Sequence, residues 1–250
     1  MIDNLLFMPN YMLVVEYDGS NYSGFQKQPG LRTIEDEIVG NLIRILQEVV
    51  KIAYAGRTDA GVSATSQVVS FKTRKLLEER RFRWSLNSLL PEDIVVKSVQ
   101  EVPPEFHARR SARYREYTYY ILNRGYPSAF GRRYLFETRK LDIEAMICGA
   151  NYLVGRHDFR SFCKPSSSGR NTIRELVSVT CKRESDFVIL AFKANSFLHQ
   201  MVRMMVGAIL RVGLGEALPE DIRDLLSRKQ PAALCSPVEP QGLFLTGVEY

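Results

Sequence analysis

The residues best suited to chemistry lie in the run Gly56-Arg57-Thr58-Asp59-Ala60-Gly61-Val62-Ser63-Ala64. Two glycines bracket a guanidinium, a hydroxyl and a carboxylate, between segments that read as strands. Glycine reaches backbone angles closed to other residues, so such a run can hold Asp59 out of a turn towards a ligand. A carboxylate held that way can serve as a nucleophile. A glycine-rich hairpin turn without chemistry is the plain alternative. The G-x-x-x-x-G spacing also invites a phosphate loop. Val62-Ser63 stands where Lys-Ser/Thr would hold phosphate and magnesium, however, and the run leads into a strand instead of opening a helix.

Two further clusters carry charge in chemically useful places. Arg203 lies in Leu198-His-Gln-Met-Val-Arg-Met-Met-Val-Gly-Ala-Ile-Leu-Arg211, a helix apolar nearly all round. Helical projection sets it opposite the stripe Met201, Met205, Ala208 and Val212. A guanidinium there either snorkels to solvent or pairs with an anion. In the pairing reading it reaches Asp59 and keeps that carboxyl ionised. The stretch from His107 to Tyr120 holds four Arg and four Tyr in fourteen residues. These suit phosphate clamping and base stacking, or equally a strand whose tyrosines pack a sheet. Arg80-Arg81-x-Arg83 and Arg132-Arg133 add to the basic supply.

Composition narrows the classes. The 250 residues are 45% apolar and 25% charged, with 16 Gly and 11 Pro, which excludes disorder and collagen-like repeats. Thirty-four Lys and Arg against 28 Asp and Glu give +6, a surplus that favours a polyanionic partner without requiring one. Cys148, Cys163, Cys181 and Cys235 form no C-x-x-C pair, and His107, His157 and His199 stand apart. A zinc ribbon or thioredoxin-type site is therefore not expected. The N-terminus lacks a basic region and a cleavage site, and the most apolar helix contains Arg203 and Arg211. A soluble, cytoplasmic protein with reduced thiols is expected.

The elements that must position these residues occur in the same order twice. Strand patterns at 11–17, 50–55, 67–72 and 94–102 enclose helix patterns at 33–49 and 79–90. The first helix opens on Thr33-x-x-Asp36, a capping-box variant, and carries Ile34, Ile38, Leu42, Ile45 and Val49 at helical spacing. The second half repeats βαββαβ. It has strands at 114–122, 177–182, 187–193 and 243–248, a hairpin turn over 183–186, and helices at 142–153 and 198–212. The pattern predicts an α+β fold of two tandem ferredoxin-like units, 1–105 and 106–250. They would form a continuous, mainly antiparallel sheet with helices on one face and a cleft between the halves. Pro103-Pro104 marks the junction.

Taken together, five segments resemble the TruA-type tRNA pseudouridine synthases in order and spacing. They are Gly56 to Ala64, Phe106-His-Ala-Arg109, Arg115-Glu-Tyr117-x-Tyr119, Gly155-x-His-Asp-Phe-x-Ser-Phe162 and Phe197-x-His-Gln-Met-Val-Arg203. The resemblance extends over essentially the whole chain, to Gly242-Leu243-Phe244. It implies isomerisation of uridine to pseudouridine in the tRNA anticodon stem-loop, at tRNA positions 38 to 40. It implies Asp59 as nucleophile, Tyr117 in contact with the target base, Arg203 paired with Asp59, and Arg57 helping to extrude the base. It further implies a homodimer with a basic cleft, working on tRNA with no metal or cofactor. Two residues depart from the family pattern, Ser63 where His is usual and Phe25 where Trp is frequent, and both bear on how RNA is positioned. The competing classes are a non-catalytic pair of RRM-like units, which lacks an RNP1 pattern here, and the phosphate-loop hydrolase that Val62 disfavours.

Overall fold

The computed structural model describes residues 8–129, 134–164, 171–228 and 233–250. The chain forms two compact units, Met1–Arg113 with Leu245–Tyr250, and Tyr114–Phe244. The division falls at Arg113/Tyr114, where the sequence suggested 105/106. Residues after Pro104 stay with the first unit because Ala108 is buried against Ala55 and Val68, with Phe106, Val248 and Tyr250 packed around them. The Asn10 side-chain amide fastens the same stretch by donating to the carbonyls of Pro103 and Phe106.

The first unit runs β1 (Asn10–Tyr17), α1 (Ile34–Leu46), β2 (Ile52–Tyr54), β3 (Ser63–Lys72), α2 (Glu79–Asn87) and β4 (Ile94–Val102). The expected βαββαβ order is present. β1 pairs antiparallel with β3 and β4, and β2 pairs with β3, giving the ferredoxin-like order β4-β1-β3-β2. Alternation decides which side of β1 faces the core: Tyr11, Leu13, Val15 and Tyr17 are all buried. The α1 cap forms as its sequence indicates, with the Thr33 hydroxyl accepting from the Asp36 N–H and donating to its carboxylate. Ile34, Ile38, Leu42 and Leu46 make the buried stripe. Gln47 turns left-handed at φ 53° and stops the helix, so Val49, expected on that stripe, is exposed instead.

The second unit runs β5 (Tyr114–Asn123), β6 (Leu135–Glu137), α3 (Ile143–Asn151), β7 (Gly155–Asp158), β8 (Ile173–Glu184), β9 (Phe187–Ala194), α4 (Met201–Gly213) and α5 (Pro219–Arg228). Its strands lie in the order β5-β9-β8-β7, antiparallel, with the short β6 parallel to β5. The expected hairpin closes between Glu184 and Phe187, with Ser185 left-handed at φ 50°. α4 begins three residues later than its pattern, because Gln200 at φ 63° leaves the helical region. A closing strand, β10 (Leu243–Glu249), starts in this unit and ends in the first. Both units are thus α+β with mainly antiparallel strands. Arg132-Arg133 lies outside the described residues. Among those described, no helix is long and apolar enough to cross a membrane, and the four cysteines are free thiols.

One carboxylate ties helix to strand in the first unit. Glu48, just past α1, accepts from the Thr73 hydroxyl and from the Arg74 N–H at the end of β3. The Thr73 hydrogen bond, opposed by burial and helped by the Arg74 N–H, holds the Glu48 carboxyl below the usual range. Its stabilising effect is therefore complete above an ordinary glutamate pKa of about 4.3 and is lost as pH falls through the lowered value. Glu48→Gln should lower the thermal midpoint at neutral pH. The gap from wild type should close as pH drops below about 4, read by circular-dichroism melts. A gap independent of pH would contradict the charge-based account.

Candidate active site

The Asp59 loop is held from three sides within the first unit. Gln67 on β3 is fully buried and faces Gly56. Its Nε2 donates to the Gly56 carbonyl at 2.6 Å, and its Oε1 accepts from the Gly56 N–H at 3.2 Å. Two residues on, the Thr58 hydroxyl hydrogen-bonds the Tyr17 hydroxyl at 2.8 Å, and the Thr58 carbonyl accepts from the Phe25 N–H at 3.1 Å. Beyond Asp59, the Gly61 N–H donates to the Tyr22 carbonyl. The chain therefore cannot shift Asp59 without breaking bonds on both sides of it.

Asp59 itself opens a tight turn, closed by the Val62 N–H donating to the Asp59 carbonyl at 3.1 Å. Gly61 takes φ 78° at the third position of that turn, a conformation that excludes most side chains. Gly24 is needed for a different reason. A Cβ there would lie 2.9 Å from the Thr58 carbonyl oxygen and 3.2 Å from the Ala60 nitrogen, and its φ is +95°. Gly61 thus serves the turn and Gly24 the close backbone approach, and the half-buried Asp59 is the charged residue they present.

The two departures from the family pattern both belong to this scaffold. Phe25 is fully buried, its ring 4.4 Å from that of Tyr54 and 6.0 Å from that of Tyr17. The buried Ser63 hydroxyl accepts from the Gly19 N–H at 3.0 Å. Their place is beneath the loop, so their bearing on RNA runs through the loop's support. Burial raises the Tyr17 phenol well above the usual tyrosine range, against the opposing hydrogen bonds of Thr58 and Gln67. Tyr17 therefore stays neutral. Tyr54 is raised too, mainly by burial, while the charges of Arg57 and Arg109 pull it the other way. Arg57 is exposed beside Asp59 in the chain.

The basic and aromatic stretch divides by residue parity. Tyr117 and Tyr119 on β5 are buried, whereas Tyr114 and Tyr120 are half-buried on the other side. Tyr120 clusters with Tyr134, Phe187 and Phe244, and Tyr114 lies under the Lys193 ammonium. The sheet-packing reading therefore holds for part of this stretch. Tyr117 pairs opposite Phe192 of β9 and meets the Phe197 ring edge-on at 5.1 Å. His107 takes a structural place in the first unit, its Nδ1 accepting from the N–H groups of Arg109 and Arg110. Burial, then the Arg110 charge, lower its pKa, so the acceptor form prevails at neutral pH.

Arg203 stands in the first turn of α4, half-buried, and does not simply snorkel. Its Nε donates to the Val238 carbonyl at 2.7 Å, and its own carbonyl accepts from the Val238 N–H at 3.2 Å. The 236–239 segment lies flat on the helix because residue 207 is glycine: a Cβ there would come within 2.2 Å of the Ser236 oxygen. The next carbonyl along, Glu239, accepts from the Tyr119 hydroxyl at 2.8 Å. Burial raises the Tyr119 phenol far above its usual range, and the Arg203 charge acts against that rise. Tyr119 and Arg203 thus sense one another in the layer between β5 and α4. Asp59 and Arg57 share one loop of the first unit, and Tyr117 and Arg203 belong to the second.

Sequence reading missed the two groups that orient the charges, Gln67 and the Val238 backbone. Gln67 left a signal, a lone amide immediately before the strand run Val68-Val69-Ser70-Phe71. Val238 left none. Among the described residues, no group of three or more His, Cys, Asp or Glu is disposed to hold a metal ion.

Comparison with known proteins adds the family. The model for tRNA pseudouridine synthase matches residues 13–109 and 150–250. These stretches include Arg57, Asp59 and Arg203, while Tyr117 falls between them. The tRNA pseudouridine synthase A of Thermoanaerobacter sp. strain X514 is 39% identical over 244 residues, covering 97% of this chain and 100% of that one. Its counterpart in Methylococcus capsulatus is 41% identical over 239 residues, covering 95% and 88%. Among solved structures, an archaeal box H/ACA sRNP Nop10-Cbf5 complex gives a TM-score of 0.35 at 16% identity, over 80% of this chain and 44% of that one, too slight a likeness to bear on the site. The sustained identity and the two matched stretches are decisive: the chain belongs to the tRNA pseudouridine synthases, isomerases that convert uridine to pseudouridine.

Proposed function

We propose that the chain isomerises uridine in the tRNA anticodon stem-loop, at tRNA positions 38 to 40, with Asp59 as the carboxylate nucleophile. The observation that carries this is the Asp59 turn. In this family motif the charged residue is flanked on both sides by hydrogen-bonded backbone, through Gln67 and Thr58 before it and Gly61 after it. Arg203 is assigned to pair with Asp59 as its counter-charge, and its anchored Nε supports a guanidinium with a set direction. Tyr117 offers a phenol ring, itself braced by Phe197, against which the detached uracil can lie. Arg57, exposed next to the nucleophile, would help draw the base from its stack.

The reaction breaks the bond between sugar C1′ and N1, turns the base and joins C5 to the same carbon; C5 releases its proton and N1 takes one up, so the product is an isomer of the substrate. Bonds broken and made lie within one substrate, with no change of oxidation state. A nucleophile, a surface for the free base and exclusion of water are the demands on the protein. Cytoplasmic residence accords with a tRNA substrate. A homodimer is proposed as well. The aromatic cluster of Tyr120, Tyr134, Phe187 and Phe244, on the side of β5 away from Tyr119, supports it as an apolar area suited to self-association. Light scattering should return twice the chain mass of 28.6 kDa, and a monomer at micromolar concentration would count against it.

The test of the chemistry is tritium release from tRNA labelled at uracil C5, with nucleoside analysis of the product. Wild type should release tritium and form pseudouridine. Asp59→Asn should lose about a thousandfold or more in rate while tRNA affinity changes little, and wild-type turnover by that variant would overturn the assignment. Gln67→Leu should act more gently, through position. With the Gly56 N–H and carbonyl left unpaired, stability should fall by about 1–3 kcal/mol. The rate constant should drop about 10- to 100-fold with KM little changed. Gln67→Glu, which can accept from Gly56 but not donate, should lie between the two.

A further inference from the structure

α2 presents a surface that neither the fold nor the Asp59 turn uses. Phe82 and Leu86 face inward and are buried. Opposite them stands Trp84, the single tryptophan of the chain, 66% exposed. Tryptophan is seldom left so open, and among the described residues no ring or guanidinium lies against it. Arg80 precedes it by four residues, Arg81 by three, and Ser88 follows by four. All four therefore share the outward face of the helix. Leu76, at the entry to the helix, is 82% exposed.

The charge around this indole is net positive. Residues 74–84 hold Arg74, Lys75, Arg80, Arg81 and Arg83 against Glu78 and Glu79. Both carboxylates are engaged by backbone: Glu78 accepts from the Arg80 and Arg81 N–H groups as the helix cap, and Glu79 accepts from the Glu101 N–H. Among the described residues, neither the Arg80 nor the Arg81 guanidinium has a carboxylate partner. Arg83 is spent on the Lys97 carbonyl. A protein-docking face would be broadly apolar. This one is a lone flat ring between free guanidinium groups, the pairing that binds a stacked base and its flanking phosphates.

We infer that the Arg80–Arg81–Trp84 face of α2 binds the substrate tRNA beyond the reacting nucleotide, with Trp84 stacking on an unpaired base and the two arginines on backbone phosphates. The inference rests on the reading of the chain as a tRNA-modifying enzyme. The location suits it. α2 is fastened to β4 at Val96 and Lys97. These residues lie two and three positions past Ile94, which pairs with Tyr17 beneath the Asp59 turn, or roughly 7–10 Å along the strand. RNA whose target base is at Asp59 can then run on past the helix.

Because Trp84 is the only tryptophan, fluorescence excited to the red of tyrosine absorption reads this surface alone. Full-length tRNA added to wild type should quench the emission, and raised salt should reverse it. Trp84→Ala should raise KM for tRNA about tenfold with kcat within twofold, and Trp84→Phe, which can still stack, should recover most of the loss. Arg80→Gln with Arg81→Gln should flatten the dependence of log Kd on log salt by about two, with circular dichroism unchanged. Unaltered emission at saturating tRNA, or wild-type KM and salt slope in these variants, would overturn the inference. Pseudouridine formation measured in the same samples separates the two readings. Conversion with a silent Trp84 defeats this surface alone, whereas quenching without conversion defeats the enzymatic reading and leaves the surface standing.

Discussion

A buried side-chain amide governs the position of Asp59, the carboxylate proposed as nucleophile. Gln67 has no solvent to satisfy it, so its donor and acceptor must both be met within the protein. Gly56 meets both, through its own N–H and carbonyl. Each group would be costly to leave unpaired, which makes the clasp stiff as well as stable. Three residues later stands Asp59, with Thr58 tied to Tyr17 and Phe25 on the way. A nucleophile needs placement within fractions of an ångström, and a loop supplies that only when neighbouring rigid elements impose it. Here β1 and β3 impose it, through Tyr17 and Gln67.

The second unit solves a similar problem with a different device. A long, flexible arginine loses much conformational freedom when fixed. Arg203 is fixed by a carbonyl from a neighbouring strap, and the strap is in turn fixed by the helix carrying that arginine. The reciprocity depends on the missing side chain at Gly207. Both units therefore set their charged residue through main-chain atoms, those of Gly56 in the first and of Val238 in the second.

Local signals in the sequence carried most of the elements and all of the motif positions. The Thr33 cap, the alternation in β1 and the two-residue turn after Glu184 act over a few residues, so their patterns survive in the linear chain. The end of α1 was less legible, because the left-handed Gln47 and not the apolar spacing decides it. α5 and β7 were missed for a related reason. α5 is short and amphipathic, and buries little beyond Ile222 and Leu225, while β7 spans only Gly155–Asp158 and owes its pairing to β8. Of the site, the charged residues were visible and their supports were not. Gln67 and Gly56 are eleven residues apart and Arg203 and Val238 thirty-five, and nothing in composition announces such pairs. The tyrosines of β5 were ambiguous until strand parity sorted Tyr117 and Tyr119 from Tyr114 and Tyr120.

The sharing of β10 between the units has a temporal consequence. Residues 245–250 leave the ribosome after every residue of the second unit, yet they belong with the first. Tyr250 donates its hydroxyl to the Ala108 carbonyl and packs on Phe106, closing the cluster of Ala55 and Val68 just before Gly56. The cluster beside the Asp59 loop is therefore closed only when residues 245–250 join it, and the first unit cannot be completed by its own contiguous stretch of chain.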